Sequence, residues 1–305
     1  MSLSLSPGIA MARRLAALPV PDVVMRASDC WVVAPGTEVR IRPSRCLPGQ
    51  IERIRKTEFG SLADVLQDLR GGFATAQPAC IGYLLKDVDL VDGVLYCRGA
   101  ERHLRQRSSR RLGYRRPVEH ARGVLYESWH GNRWFGNWLA NDCLTYRLAE
   151  RHGTPVATGR RSGHAARYEA LLGLAPEPIE DVHFDELILF DDGGHGSEKR
   201  ARAEANRRRL IGTRTVTPHA GVFLLRKADG DRRVMANEME VATRLAERRG
   251  FTVLDPMNST VDAIVDACAG ARVVAGVEGS QLAHGLASMA AGATLLVFQP
   301  PTRAV

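Results

Sequence analysis

The sequence predicts an α/β protein, on three observations. The last third of the chain alternates short apolar runs with amphipathic helical stretches, joined by tight turns. Those helical stretches open on capping residues and close on glycines. The first 115 or so residues read instead as short strands separated by turn residues. Strands alternating with helices over short loops give a parallel sheet covered on both faces.

The chain has 305 residues, room for two domains of ordinary size. Residues 61–70 (SLADVLQDLR) have helical spacing, with Ser61 as N-cap and Leu62, Val65, Leu66 and Leu69 on one face. Ile81 to Leu85 is an apolar run. Val88 to Tyr96 carries Asp92-Gly93 between two β-rich pieces, a hairpin signal because glycine supplies the positive φ such a turn needs. Val124 to Tyr126 reads as a strand. Trp134 to Arg151 carries a helical stripe of Trp134, Trp138, Leu139, Cys143, Leu144 and Leu148. Glu186 to Phe190 (ELILF) is a buried-strand candidate, followed by the loop Asp191-Asp192-Gly193-Gly194-His195-Gly196. Residues 198–210 form a very basic helix, expected to link two halves.

The C-terminal pattern is the clearest. Gly221 to Leu225, Phe251 to Leu254, Val273 to Ala275 and Thr294 to Phe298 are the strands. Asn237 with Glu240 opens the first helix as a capping box, and Gly250 closes it in the left-handed region. Ser259 with Asp262 opens the second by the same device, and the third starts at Gln281 after the turn Gly276–Ser280.

Composition narrows the classes. Hydrophobic residues at 45% and charged residues at 25% leave enough apolar material for real cores. No apolar run reaches 18 residues, so no spanning helix is expected, and the N-terminus lacks the basic-then-apolar order of a secretory signal. A cytoplasmic protein follows as the expectation. None of the six cysteines makes a C-x-x-C pair, so buried thiols in a reducing compartment are expected. The net charge of +8 favours anionic partners. Its arginines cluster at 102–116 and 199–209, read first as solvated faces. Nucleic-acid binding would want interleaved aromatics, and Tyr114 is the only one in these clusters.

Ligands of an open parallel sheet bind at the carboxyl ends of its strands. Two segments fall there. Gly276 to Ser280 lets backbone approach a ligand closely and leads into a helix whose free N–H groups favour an anion such as a diphosphate. Arg226, with Arg232-Arg233 and Asn237-Glu238, offers planar, bidentate recognition of phosphate.

The stretch LLRKADGDRRVMANEMEVATRLAERRGFTVLDP, followed by STVDAIVDACAGARVVAGVEGSQLAHGLASMAAGATLLVFQPP, resembles the core of glycosyltransferase family 61. Upstream, Trp134-Phe135-Gly136-Asn137-Trp138-Leu139 resembles that family's "Y-x-H-W-L-x-D" helix start. The likeness is to its bacterial, capsular-polysaccharide-type members and runs over about 120 to 305. It implies a GT-B-like α/β fold, two Rossmann-like domains facing a cleft, with a β-rich N-terminal extension. The segments would be a β-rich region over 1–118, an acceptor domain over 119–212 and a nucleotide-sugar domain over 213–305.

The resemblance places Arg226, Arg233, Asn237, Glu238, Gly276, Gly279 and Ser280 at donor positions. It also implies sugar transfer to a glycan, lipid-linked or protein acceptor, with basic faces helping to meet a membrane surface. The donor expected is a UDP- or GDP-sugar, with no permanently bound cofactor. Glu278 reads as a sugar-recognising carboxylate, and His284 as either a nucleotide contact or a packing residue. Direct displacement needs a general base. Asn137 stands where the family carries histidine, so the base candidates are Asp142, His130 and Asp192. Adjacent Asp191-Asp192 is a poor D-x-D, so no metal is expected. The alternative is a catalytically inactive binding or scaffolding protein of the same fold.

Overall fold

In a computed structural model describing residues 2–227 and 234–304, the chain divides into two compact units. One comprises Met1–Pro35 with Ala79–Gly194, the other Gly36–Pro78 with His195–Val305.

The second unit holds the parallel sheet. Its strands are Gly221–Leu224, Phe251–Leu254, Val273–Val277 and Thr294–Phe298. They lie in the spatial order second, first, third, fourth, every pairing parallel. Successive side chains point to opposite faces. Val222, Leu224 and Val274 therefore pack with Ile264 and Cys268, whereas Phe223, Leu225 and Ala275 pack with Ala242. Both faces are covered, which is why the strands read as continuous apolar runs.

The helices Glu238–Arg249, Val261–Ala269 and Leu282–Ser288 connect these strands. Gly250 closes the first in the left-handed region, as expected. Two caps differ from expectation. The Asn237 side chain makes no cap bond, and Glu240 pairs with Arg244 one turn on at 2.7 Å instead of reaching back. Thr260, one residue beyond Ser259, caps the second helix by accepting from Ala263 N at 3.2 Å.

The helix Ser197–Ile211 belongs to this unit and packs on the second and third helices. Its buried stripe is Lys199, Arg202, Asn206 and Leu210, so the expectation of a wholly solvated basic face is corrected. Residues 36–78, closed on themselves by the antiparallel pair Thr37–Arg40 with Ala74–Gln77, join the same unit through the bridge Thr57 to Ala304. The helix Leu62–Arg70 is capped by Ser61 as expected, which accepts from Asp64 N at 3.1 Å.

The first unit is built on a mixed sheet. Its spatial order runs Glu177–Pro178, Pro155–Ala157, His120–Leu125, Val182–Asp191, Cys80–Val91, Val94–Cys97, Ala100–His103. Asp29–Ala34 pairs with Cys80–Val91 as well. Pairings among the first four strands are parallel, and those from Cys80–Val91 onward are antiparallel. This departs from a free-standing β-rich region over 1–118 beside a second Rossmann-like domain. Strands from both sides of residue 118 share one sheet, and part of that sheet is antiparallel. The turn at Asp92-Gly93 has positive φ at both central residues, as a two-residue hairpin requires.

The stripe read as helical over 134–151 is helical without interruption from Phe135 to His152, with a π-helical turn inside it. The short helix Trp129–Arg133 precedes it, and the stripe itself runs through the turn Phe135–Asn137, the π-helical turn Trp138–Asp142 and the helix Cys143–His152. Among the described residues, no helix is long and apolar enough to cross a membrane.

Candidate functional site

The strands Gly221–Leu224 and Val273–Val277 are neighbours, and the chain leaves them in opposite lateral directions. Their carboxyl ends thus flank a topological switch point, where open parallel sheets bind ligands. Arg226, Glu278, Gly279 and Ser280 stand there. Arg226 Nη1 donates to Gln281 Oε1 at 3.1 Å. A Cβ added to Gly279 would overlap Arg226 Nη1, so the guanidinium lies directly against the glycine. Gln281 Nε2 donates in turn to the Val277 carbonyl, and Glu278 N to the Phe298 carbonyl at 3.0 Å. Arg226 and the Gly279–Ser280 turn therefore share one edge.

Glu238 braces the backbone beside the switch point. It is buried, and its two oxygens accept Arg226 N and Lys227 N, each at 2.8 Å. It fixes the turn that carries Arg226. Lys227 pairs with Asp255 at the end of the neighbouring strand. Gly276 is also structural in character: a Cβ there would meet the Leu224 carbonyl oxygen of the adjacent strand at 2.7 Å. His284 is buried in its helix, and its carbonyl accepts from Ser288 Oγ at 2.7 Å. Asn237 is exposed. Arg233, like Arg232, lies outside the described residues.

In the first unit, the chain leaves the strand His120–Leu125 into Tyr126-Glu127-Ser128. The Glu127 side chain is fully buried. Its Oε1 accepts from Arg161 Nη2 at 2.9 Å, and its Oε2 from Thr158 N at 2.8 Å and Thr158 Oγ1 at 2.7 Å. Asn132 bridges the pair, donating to Glu127 Oε2 at 3.3 Å and accepting from Arg161 at 2.8 Å. Above them opens a cavity of about 570 Å³, lined by Arg105, Trp129, Asn132, Arg133, Arg160 and Arg161 among others. Sequence reasoning passed over Glu127 and Arg161. The available signal was a carboxylate just past a strand end, the argument applied to Asp191 and Asp192.

The three candidate bases have different surroundings. Asp142 is buried, with Ser128 N donating to one oxygen at 3.0 Å and Ser128 Oγ to the other at 2.8 Å. Burial pushes its carboxyl up to about 7, against the hydrogen bonds from Ser128. It packs beneath the helix Trp129–Arg133 so closely that a Cβ on Gly131 would overlap it. His130 is exposed on that helix and stacks on Trp134, ring centroids 5.5 Å apart. Asp192 accepts from Thr145 Oγ1 at 3.0 Å.

The arginines over 102–116, read as a solvated face, mostly face carboxylates. Arg102 pairs with Asp22, Arg107 with Glu101 and Arg116 with Asp89. Cys30 and Cys46 are exposed, and the other four cysteines are buried.

An arginine braced at the switch point of a parallel sheet places a fixed cationic group where open α/β sheets bind ligands. The family model Glycosyltransferase 61 matches residues 44–296. The chain belongs to that family, so the class of its activity is transfer of a sugar from a donor to an acceptor. A search of curated proteins found no match to the chain.

Proposed function

We propose that the protein transfers a sugar from a UDP- or GDP-sugar to a glycan, lipid-linked or protein acceptor, by metal-independent direct displacement. The observation that carries this reading is Arg226 lying against Gly279 and bonded to Gln281 at the switch point. The acceptor oxygen attacks the anomeric carbon, the bond from that carbon to the diphosphate breaks, and the acceptor proton passes to a base. Charge develops on the departing diphosphate. A fixed guanidinium, the Ser280 hydroxyl and nearby backbone amides stabilise it where a divalent ion would otherwise be needed. Glu278 at the same edge binds sugar hydroxyls.

The first unit takes the acceptor, a GT-B-like division of labour. Its cavity combines guanidinium groups with the Trp129 ring, a lining that suits an anionic glycan. Of the three base candidates, His130 has an exposed ring on the helix bordering that cavity, and it takes the proton role. Asp142 and Asp192 are occupied by hydroxyls and position the helices that carry them. A glycan or lipid-linked acceptor of polysaccharide synthesis fits a cytoplasmic, membrane-peripheral enzyme.

Thermal shift with UDP, GDP and CMP, paired with hydrolysis of the matching donor, tests the reading. One nucleotide should raise Tm, and Arg226→Ala should abolish both effects. Absence of stabilisation by any nucleotide overturns it. A second reading, a nucleotide-sugar binder without turnover, is favoured by Asn137 standing where the family carries histidine; stabilisation without hydrolysis or transfer would select it.

A further inference from the structure

At the opposite edge of the first unit's sheet from Glu127, two neighbouring parallel strands begin with histidines in register: His120 opposite His183. Asp185 follows two residues later, where the register shifts between Phe184 and Glu186. A bulge re-aims the extra side chain. Here it brings Asp185 Oδ1 to 2.8 Å from His120 Nδ1 and 3.9 Å from His183 Nε2. One ligand atom from each of the three residues lies within 4.8 Å of the others.

His183 is prepared for one role. Its Nδ1 lies 2.7 Å from Oδ1 of the buried Asp89. Asp89 Oδ2 accepts from Tyr114 Oη at 2.7 Å and has Arg116 Nε at 3.5 Å. A carboxylate already accepting on its other oxygen takes the His183 Nδ1 proton as a hydrogen bond, leaving Nε2 with a lone pair directed toward Asp185. Metal-bound histidines are oriented in this way by a carboxylate on the far ring nitrogen.

We propose that His120, His183 and Asp185 bind a divalent transition-metal ion, best matched by zinc, with open positions toward solvent. Bonds of about 2.0–2.1 Å in a tetrahedral site hold ligand atoms about 3.4 Å apart, between the two separations seen here. Two imidazoles and one carboxylate select zinc or a similar borderline ion over calcium or magnesium. The ion takes the place of the hydrogen bond between His120 Nδ1 and Asp185, the neutral ring then carrying its proton on Nε2, and it ties the two strands together. The site lies away from the carboxyl edge proposed for acceptor binding, so it serves the sheet and not the transfer step.

The test is calorimetric titration of Zn²⁺ into the tag-free full chain, with Cys30→Ser and Cys46→Ser removing the exposed thiols. One ion should bind per chain. His120→Ala and Asp185→Ala, both at exposed positions, should each weaken binding at least ten-fold. Asp89→Asn should weaken it about 10–100-fold. Co²⁺ bound in place of zinc should show no thiolate charge-transfer band. Absence of saturable binding at neutral pH, or unchanged affinity in the His120→Ala/Asp185→Ala double variant, overturns the proposal.

Discussion

Glu238 holds the backbone of Arg226 in place: its Oε1 accepts Arg226 N and its Oε2 accepts Lys227 N, both at 2.8 Å. The guanidinium is braced separately, by Gln281 and Gly279. Main chain and side chain are thus fixed by different groups before any ligand arrives, the condition under which a charged donor stabilises a transition state without reorganising.

Replacing Glu238 by Gln turns one acceptor into an amide N–H₂ facing a backbone N–H. The lost charge-assisted bond and the unpaired buried donor should destabilise the second unit by about 2–3 kcal/mol. Urea denaturation measures this. Nucleotide stabilisation should weaken too, though less than in Arg226→Ala, because the guanidinium keeps its Gln281 contact. A Glu238→Gln protein with unchanged stability would show that the clamp contributes nothing.

Gly279→Ala displaces the Arg226 side chain and strains its own turn. The added methyl overlaps Arg226 Nη1 and falls 2.5 Å from Gln281 Oε1. Both are ends of flexible side chains, so the guanidinium should swing away, but Gly279 has φ 156°, where an added Cβ also strains the turn. Donor turnover should fall by about 10²–10³, the usual cost of losing one fixed charge-stabilising donor, with stability in the absence of nucleotide lowered by the backbone strain, about 1–3 kcal/mol. Wild-type turnover in this variant would exclude Arg226 from the leaving-group role.

The second unit was legible because its information is local. The run Thr294–Phe298 and the glycine after Arg249 each declare one element within a few residues, and the structure keeps those bounds. The switch-point edge followed from the same pattern, since Arg226 and Gly279 both sit just past apolar runs. The bonds of Glu238 to two backbone amides were not legible, because a carboxylate beside a helix start looks the same whether it faces a ligand or backbone amides. The placement of residues 36–78 depends on contacts such as Thr57 with Ala304, which no local pattern records. Glu127 was missed because its partners, Asn132, Thr158 and Arg161, come from separate segments. The π-turn at Trp138–Asp142 leaves the apolar spacing helical, so periodicity does not distinguish it from a regular helix.

Glu127→Gln should report on the first unit alone. It leaves the largely buried Arg161 without its charge partner, and breaking such a pair costs about 3–5 kcal/mol. The Asn132 bond to Arg161 remains, so the lower end of that range is expected. Transfer to an acceptor should fall while donor hydrolysis and nucleotide stabilisation persist. Equal loss of both activities would mean that the cavity over Glu127 is not an acceptor site.

Asp142 makes stability depend on pH in a direction opposite to that of a salt-bridged carboxylate. Burial raises its folded pKa from 3.8 to about 7. In the unfolded chain it loses its proton near pH 4, whereas the folded chain keeps it until about pH 7. Its contribution is therefore complete below pH 4, declines across the interval and is gone above 7. Asp142→Asn stays neutral at every pH. It loses one of the two acceptors for Ser128, at a pH-independent cost of about 1–2 kcal/mol. The variant should be less stable than wild type at pH 4 and gain on it as pH rises, the relative gain by pH 8 being on the order of 3–4 kcal/mol. Urea midpoints measured from pH 4 to pH 8 give that difference directly. A difference that stays flat with pH would mean that Asp142 titrates as an ordinary carboxylate and that Ser128, not burial, controls its charge.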